Sequence, residues 1–194
     1  MRNRRTTAVA AVVGVLAVAG IATAVVVNQN PTDDTASSPI VAEFEGRDAR
    51  EVIDELEATP AAERRTDIFA SVRADELLIT DLATGVETSL PKPAGLFYYS
   101  FAPYVDQTHP CTFHSLTTCL GEMGNTDVHV LVVTDDGDTL VDETRTTSDA
   151  GWVGLWLPAE ITGTITVTYG DLSVTSPIAT GDDDKTCDST LQLT

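Results

Sequence analysis

The sequence predicts an α+β fold, with a small helical/α+β N-terminal region over residues 40–95 and an all-β, sandwich-like domain over residues 96–194. Two observations carry this prediction. An amphipathic stretch near residue 50 has the apolar spacing and the cap of a helix. From residue 127 onward, short apolar stretches alternate with tight-turn signatures and show no helix signal, which is typical of a β-sandwich.

The N-terminal region contains one strong helix signal and one hairpin signal. We predict a helix over Asp48–Ala58, in which Asp48 caps the first turn and one face is apolar, carrying Val52, Ile53 and Leu56. Pro60–Arg65 favours a second short helix, because proline is tolerated in a first turn. Glu76–Thr80 and Val86–Leu90 flank Thr84-Gly85 and predict a β-hairpin.

The C-terminal region consists of short strands separated by turns. Alternation is clearest where Ile165, Val167 and Tyr169 share one face and threonines occupy the other. The turn signatures are Asp135–Asp138 and Gly170-Asp171. The predicted strands are Val128–Thr134, Thr139–Arg145, Trp152–Leu157, Gly163–Tyr169 and Leu172–Ser176.

The N-terminus has the pattern of a targeting segment. Three arginines among the first five residues precede Ala8–Val27, which contains no charged residue. Twenty helical residues span ~30 Å, enough to cross a bilayer, and the preceding positive charge predicts that the remaining chain is exported. We predict a signal peptide or a membrane anchor over residues 1–27, the length of residues 8–27 favouring the anchor, and a flexible linker over residues 28–39.

The strongly acidic composition excludes several classes of partner. The formal net charge is −19, so the chain will not bind nucleic acid or an anionic lipid surface by general attraction. Its carboxylates are scattered rather than spaced as in an EF-hand loop. We therefore predict no nucleic-acid partner, and membrane contact only through the N-terminal segment.

The residues with the most distinctive chemistry lie in one stretch, Leu96–Cys119. Five of the nine Phe and Tyr residues lie in it before its first cysteine, and it contains two of the three histidines and two of the three cysteines: His109, Cys111, His114 and Cys119. Thiols and imidazoles are preferred ligands of soft and borderline transition metals. The third cysteine, Cys187, lies near the C-terminus, and we expect the fold to bring it back to this stretch.

Local geometry limits how these cysteines can act together. In a continuous helix, Cys111 and Cys119 would lie ~12 Å apart along the axis, whereas a disulfide needs Cα atoms within ~7 Å. If the two thiols cooperate, the segment must fold back, and Pro110 provides a break. A helix confined to about Phe113–Leu120, with Cys111 on the preceding loop, would satisfy this requirement.

Several interpretations of the cysteines remain open from spacing alone. Exported domains favour a structural disulfide between two of the three, which leaves an odd thiol. A metal site made of the three thiols, with His114, is the main alternative. A catalytic thiol lacks a CxxC motif, and the Cys-x7-Cys spacing does not match a zinc knuckle. The third histidine, His129, is interpreted as an ordinary strand residue.

The stretch FYYSFAPYVDQTHPCTFHSLTTC resembles the CueP family of periplasmic copper-binding proteins. The resemblance continues through VDET at 141–144, GWVGLWLP at 151–158 and TSPI at 175–178, and includes all three cysteines in order and spacing. It covers roughly Leu96 to the C-terminus.

This resemblance implies a copper-resistance protein located outside the cytoplasm, in the periplasm or at the cell surface. Carried over by position, the copper ligands would be Cys111, Cys119 and Cys187, with His114 and His109 as secondary candidates. It further implies delivery of copper to a superoxide dismutase, and reduction of Cu(II) to Cu(I) that needs a thiol-reducing partner. Thiolate ligands independently favour Cu(I).

Two other functional classes compete with copper binding. One is a thiol-based cupric reductase or thiol–disulfide oxidoreductase, and the other is a disulfide-stapled surface domain. We predict a copper-binding protein rather than a conventional enzyme, with stoichiometric Cu(II) reduction as an accompanying reaction. As a hypothesis, the aromatic strand Phe97–Tyr104 joins the two regions and buries the base of the ligand loop.

Overall fold

The computed structural model describes residues 38–194. The predicted signal peptide or anchor, and the predicted linker up to residue 37, lie outside these described residues. Within residues 38–194, no helix is both long enough and apolar enough to cross a membrane.

Two short helices and a single 3-10 turn begin the described chain. Helix α1 spans Pro39–Ala42, α2 spans Ala49–Glu57, and the 3-10 turn spans Ala61–Glu63. The predicted cap is confirmed, because the Asp48 carboxylate accepts a hydrogen bond from the backbone N–H of Glu51. The predicted second helix is reduced to the 3-10 turn.

The helices pack on a small antiparallel sheet. Strands β1 (Ile68–Val72), β2 (Glu76–Asp81) and β3 (Glu87–Pro91) pair in that order, so the predicted hairpin is confirmed as β2–β3. The predicted apolar face of α2 is buried against the sheet, in a core with the strand residues Ile68, Leu77 and Ile79.

Two further sheets form the predicted sandwich. One contains β4 (Leu96–Phe101) between β7 (Val153–Pro158) and the short β10 (Cys187–Asp188). The other has the order β6-β5-β8-β9, and its four strands are all antiparallel: β5 (Asp127–Thr134), β6 (Thr139–Thr146), β8 (Thr162–Tyr169) and β9 (Leu172–Ala179). The α+β fold class is therefore confirmed.

Strand β4 contacts two cores through its alternating side chains. Phe97, Tyr99 and Phe101 belong to the apolar core between the two sandwich sheets, whereas Tyr98 belongs to the core under α2. As hypothesised, this strand joins the two regions. It ends at Phe101 rather than at Tyr104, which instead makes an isolated bridge with the C-terminal segment. The division of the chain at residues 95 and 96 stays a prediction.

The expected helix over Phe113–Leu120 is wrong. Ser115 pairs as an isolated antiparallel bridge with β1, and a turn follows it. The Ser115 hydroxyl accepts hydrogen bonds from the N–H and the hydroxyl of Thr118. Serine and threonine hydroxyls compete in this way with helical hydrogen bonds, and the free edge of β1 supplies the alternative backbone partners.

Candidate metal centre

The short strand β10 brings the C-terminal cysteine back to the cysteine segment, as expected. It pairs in parallel with β4, placing Cys187 opposite Ser100. On its other side, the carbonyl of Thr112 accepts hydrogen bonds from the N–H groups of Thr186 and Cys187. Backbone pairing on both sides therefore places Cys187 beside Cys111.

Cys111 and Cys187 form a disulfide bond with a Cα–Cα distance of 5.6 Å. Cys119 is a free, buried thiol whose Sγ lies 3.8 Å from the Sγ of Cys111. Of the alternatives open from the sequence, a disulfide between two cysteines with one thiol left over is the state present here. The third sulfur is nevertheless close enough to act with the other two once the disulfide is reduced.

His114 is completely buried between a carboxylate and the sulfur atoms. Its Nε2 lies 2.8 Å from Oε2 of Glu57, and its Nδ1 lies 4.0 Å from Sγ of Cys187. Its ring packs against Trp152 with 4.6 Å between centroids. A hydrogen bond from one ring nitrogen to a carboxylate orients the other nitrogen, which is how histidine ligands of metals are commonly held.

The same contacts set the charges in the site. Burial alone would lower the pKa of His114, but the charge of Glu57 and hydrogen bonds to Cys119 and Glu57 raise it to about 9. Burial likewise opposes ionisation of Cys119. A hydrogen bond to His114 and the positive charge of that imidazole nevertheless hold the Cys119 pKa below its ordinary value. Both shifts favour the charged forms, a Cys119 thiolate beside a His114 imidazolium.

Several buried polar atoms around this pair have no hydrogen-bond partner within residues 38–194. They are Oε1 of Glu57, Nε and Nη2 of Arg64, and Nε1 of Trp152. Arg64 uses its remaining Nη1 to donate to the carbonyl of Cys119 at 2.7 Å. Folded proteins rarely leave buried polar groups without a hydrogen-bond partner, and a functional role is one explanation for those that do.

His109 lies on the outer side of the sulfur cluster and is only half-buried. Its ring is 6.1 Å from Trp152, so the indole contacts both histidines of the segment. All five residues predicted as ligands therefore converge. His129, interpreted as an ordinary strand residue, lies in β5, where its Nε2 contacts Asp142 at 3.1 Å.

Sequence reasoning missed Glu57, Arg64 and Trp152. Glu57 had a detectable signal, because it lies four residues after Ile53 and therefore on the apolar face of α2, where an acid needs a buried partner. Trp152 lies within the family-like motif GWVGLWLP, although no role was assigned to it. Nothing in the sequence around Arg64 distinguishes it from a surface arginine.

Comparisons with known proteins support the resemblance carried by the cysteine segment. No curated protein matches the chain. The crystal structure of S.CueP is similar with 33% sequence identity and a TM-score of 0.73, over 81% of this chain and 99% of that one. The sequence profile of the family described as periplasmic copper-binding protein CueP matches residues 51–192, so it begins well upstream of Leu96. Because that match spans more than half of the chain, the protein belongs to the CueP family of periplasmic copper-binding proteins.

Proposed function

We propose that the protein holds Cu(I) as its cargo through the thiolates of Cys111, Cys119 and Cys187, with His114 as a nitrogen ligand. The observation that carries this proposal is the convergence of sulfur and imidazole atoms. In the group of His114, Cys119 and Cys187, all ligand atoms lie within 4.8 Å of one another. Soft thiolates favour Cu(I) over harder cations, and the family is described as copper-binding.

Copper loading in this proposal depends on the redox state of the disulfide. The bond between Cys111 and Cys187 occupies two of the three sulfurs. Two electrons and two protons convert it to two thiols, which then lose their protons as they bind the cation. A thiol-reducing partner outside the cytoplasm would supply those electrons.

Reduction of Cu(II) is a second candidate function, favoured by a specific observation. A free thiol lies 3.8 Å from one sulfur of the disulfide, so three sulfurs are available to exchange electrons and bonds. Two thiolates can reduce two Cu(II) ions to Cu(I), each giving one electron, and they end as one disulfide. The disulfide described here would be the oxidised product of that reaction, awaiting a reductant.

The cellular role follows from these two properties as a further part of the proposal. A protein that takes up Cu(I) outside the cytoplasm can serve copper resistance or storage, and can deliver copper to a cuproenzyme such as superoxide dismutase. The N-terminal segment would export it to the periplasm or the cell surface, with or without retention in the plasma membrane.

The test of copper binding is a competition between the reduced protein and a chromophoric Cu(I) chelator, with free thiols counted before and after. We expect tight binding that protects all three thiols from alkylation, and weak binding by the oxidised protein. Cys187→Ser should lower the affinity sharply without unfolding the sandwich. His129→Ala is the matched control and should bind as the wild type does. Failure of the reduced protein to compete would contradict the proposal.

Cupric reduction is tested by adding Cu(II) to the reduced protein without oxygen and following Cu(I) with a specific chromophore. We expect one new disulfide for two Cu(I) formed, and further turnover only when a dithiol reductant is present. Cys119→Ser retains the pair that forms the disulfide. If that pair donates the electrons, the variant should still reduce Cu(II) but should hold the resulting Cu(I) less tightly. Cu(I) formation without loss of thiols would exclude the cysteines as the electron source.

A further inference from the structure

The convergent ligands form two overlapping groups rather than one. The outer group is His109, Cys111 and Cys119, and the inner group is His114, Cys119 and Cys187. Within each group, all ligand atoms lie within 4.8 Å of one another, and Cys119 belongs to both. A cation can therefore move from the outer group to the inner group while it keeps its bond to the Cys119 sulfur.

The two groups differ in their access to solvent. His109 and Cys111 are only half-buried. By contrast, His114 and Cys187 are both 0% exposed, so a cation from solution cannot reach them first. A cation must therefore contact other residues before it reaches the inner group.

One member of the outer group, His109, faces an open cleft. His109 lines this surface cleft of about 370 Å³, together with Gln107, Thr108, Leu120, Gly121 and Glu122. Glu122 carries a carboxylate whose pKa is held below its ordinary value by the backbone N–H groups of residues 105–107. A cleft with a fixed negative charge attracts cations and raises their local concentration.

The loop that carries His109 is tied to the same C-terminal segment that carries Cys187. The Ser189 hydroxyl donates to the carbonyl of His109, and the Thr108 hydroxyl donates to the carbonyl of Ser189. On its other side, Glu122 holds the loop through three backbone N–H groups. His109 is therefore held beside the sulfurs by backbone contacts, instead of lying on a free surface segment.

We infer that His109 and this cleft form a capture site for Cu(I), from which the ion passes through Cys119 to the inner group. The inference rests on the proposed function and applies to the reduced protein. The bond to His109 breaks, bonds to His114 and Cys187 form, Cys111 and Cys119 stay bound, and the oxidation state of copper does not change. The Cys187 thiol and the His114 imidazolium each release a proton to solvent as they bind the ion.

The route predicts that the two histidines affect different measurements. In stopped-flow transfer of Cu(I) from a weak chromophoric donor complex to the reduced protein, His109→Ala should slow uptake severalfold while leaving the equilibrium affinity close to that of the wild type. His114→Ala should still take up Cu(I) at the outer group as fast as the wild type does. Its equilibrium affinity should fall at least about tenfold. The matched control, His129→Ala, should change neither quantity.

Two results would overturn the route while leaving the proposed function intact. Wild-type uptake rates in His109→Ala would exclude His109 from capture. An equal loss of affinity in His109→Ala and His114→Ala would place both imidazoles at one final site. Failure of the wild-type protein to take any Cu(I) from the donor would instead overturn the proposed function together with the route.

Discussion

The core between the sandwich sheets and the core around the cysteines consist of different kinds of side chain. The core between the sandwich sheets is dominated by aromatic and branched aliphatic side chains such as Phe101, Leu155 and Val167. The core around the cysteines contains the small residues Ala102 and Ala150 with Trp152, next to a buried histidine, a carboxylate and an arginine.

This difference indicates that the sandwich core stabilises the fold, whereas the core around the cysteines supplies the chemically distinctive side chains. The sandwich gains stability from dispersion and from apolar burial, and it holds β4 and β10 in position. Within residues 38–194, several buried donors and acceptors around the cysteine core have no hydrogen-bond partner, which costs stability. Substitutions in the sandwich should therefore change the free energy of unfolding, whereas substitutions around the cysteines should change copper affinity and thiol reactivity.

The largest effect on stability is expected from Phe101→Ala. Phe101 is completely buried in the sandwich, and removing such a side chain costs about 3–5 kcal/mol through lost burial and the cavity left behind. Chemical denaturation measures this change. Tyr169→Ala removes an exposed aromatic residue from the same domain and should change stability by only about 0.5 kcal/mol. Equal losses in the two variants would contradict the assignment of Phe101 to the sandwich core.

Reduction of the disulfide should destabilise the fold by a smaller amount. The bond joins residues 76 positions apart, and a crosslink of this span contributes roughly 2–4 kcal/mol by restricting the unfolded chain. Denaturation of the oxidised and the reduced protein measures the difference. Cys119→Ser keeps the disulfide and should show the same loss on reduction.

Copper should return part of that stability to the reduced protein. A ligand bound by the folded chain alone stabilises it by about 2.7 kcal/mol at a free concentration 100 times its dissociation constant. A reduced protein whose unfolding is unaffected by excess Cu(I) would show that the cysteine core holds no cargo in the folded state.

Glu57→Gln should alter the site and leave the fold largely unchanged. Loss of the carboxylate charge removes the attraction that raises the pKa of His114, and a less positive His114 should let the Cys119 pKa rise. Thiolate absorbance in the oxidised protein, where Cys119 is the free cysteine, reports this change. We also expect Cu(I) affinity to fall by about 10- to 100-fold, as for other groups that orient a ligand.

The matched control for this variant is Glu55→Gln on the same helix. Glu55 is exposed, and its carboxylate pairs with Arg47 at 2.6 Å instead of with His114. It should leave the absorbance titration and the copper affinity unchanged. A Cys119 titration that is the same in Glu57→Gln and in the wild type would exclude Glu57 from the control of the thiol.

The smallest effect is expected on the stability of the fold at acid pH, through a carboxylate outside the cysteine core. Hydrogen bonds from Ser38, Thr84 and the Ala83 N–H hold the pKa of Asp81 at about 2, against an ordinary value of 3.8. A depressed carboxyl pKa stabilises the fold above the unfolded-state value, and that stability is lost as the pH falls through the folded-state value. Between about pH 4 and pH 2, the wild type should therefore lose more stability than Asp81→Asn. Parallel acid titrations followed by circular dichroism test this expectation.

Local pattern in the sequence was sufficient to predict most of the secondary structure and to single out most of the candidate ligands. The capped helix α2, the β2–β3 hairpin and the sandwich strands follow from periodicity, caps and turn residues, which act over a few positions. Four of the five candidate ligands follow from residue chemistry, because cysteine and histidine are rare in this chain and cluster in one segment, and the family resemblance adds Cys187.

The tertiary structure decided which of these residues act together. The spacing of the cysteines could not predict the pairing of Cys111 with Cys187. These residues are 76 positions apart, and they meet because β10 pairs with β4. The segment after Cys111 follows the edge of β1 instead of forming a helix, for the same long-range reason. Glu57 reaches His114 only because α2 packs over the cysteine segment. Local sequence specifies elements and chemistry, whereas backbone pairing between distant segments brings the sulfurs, the imidazoles and their charged partners together.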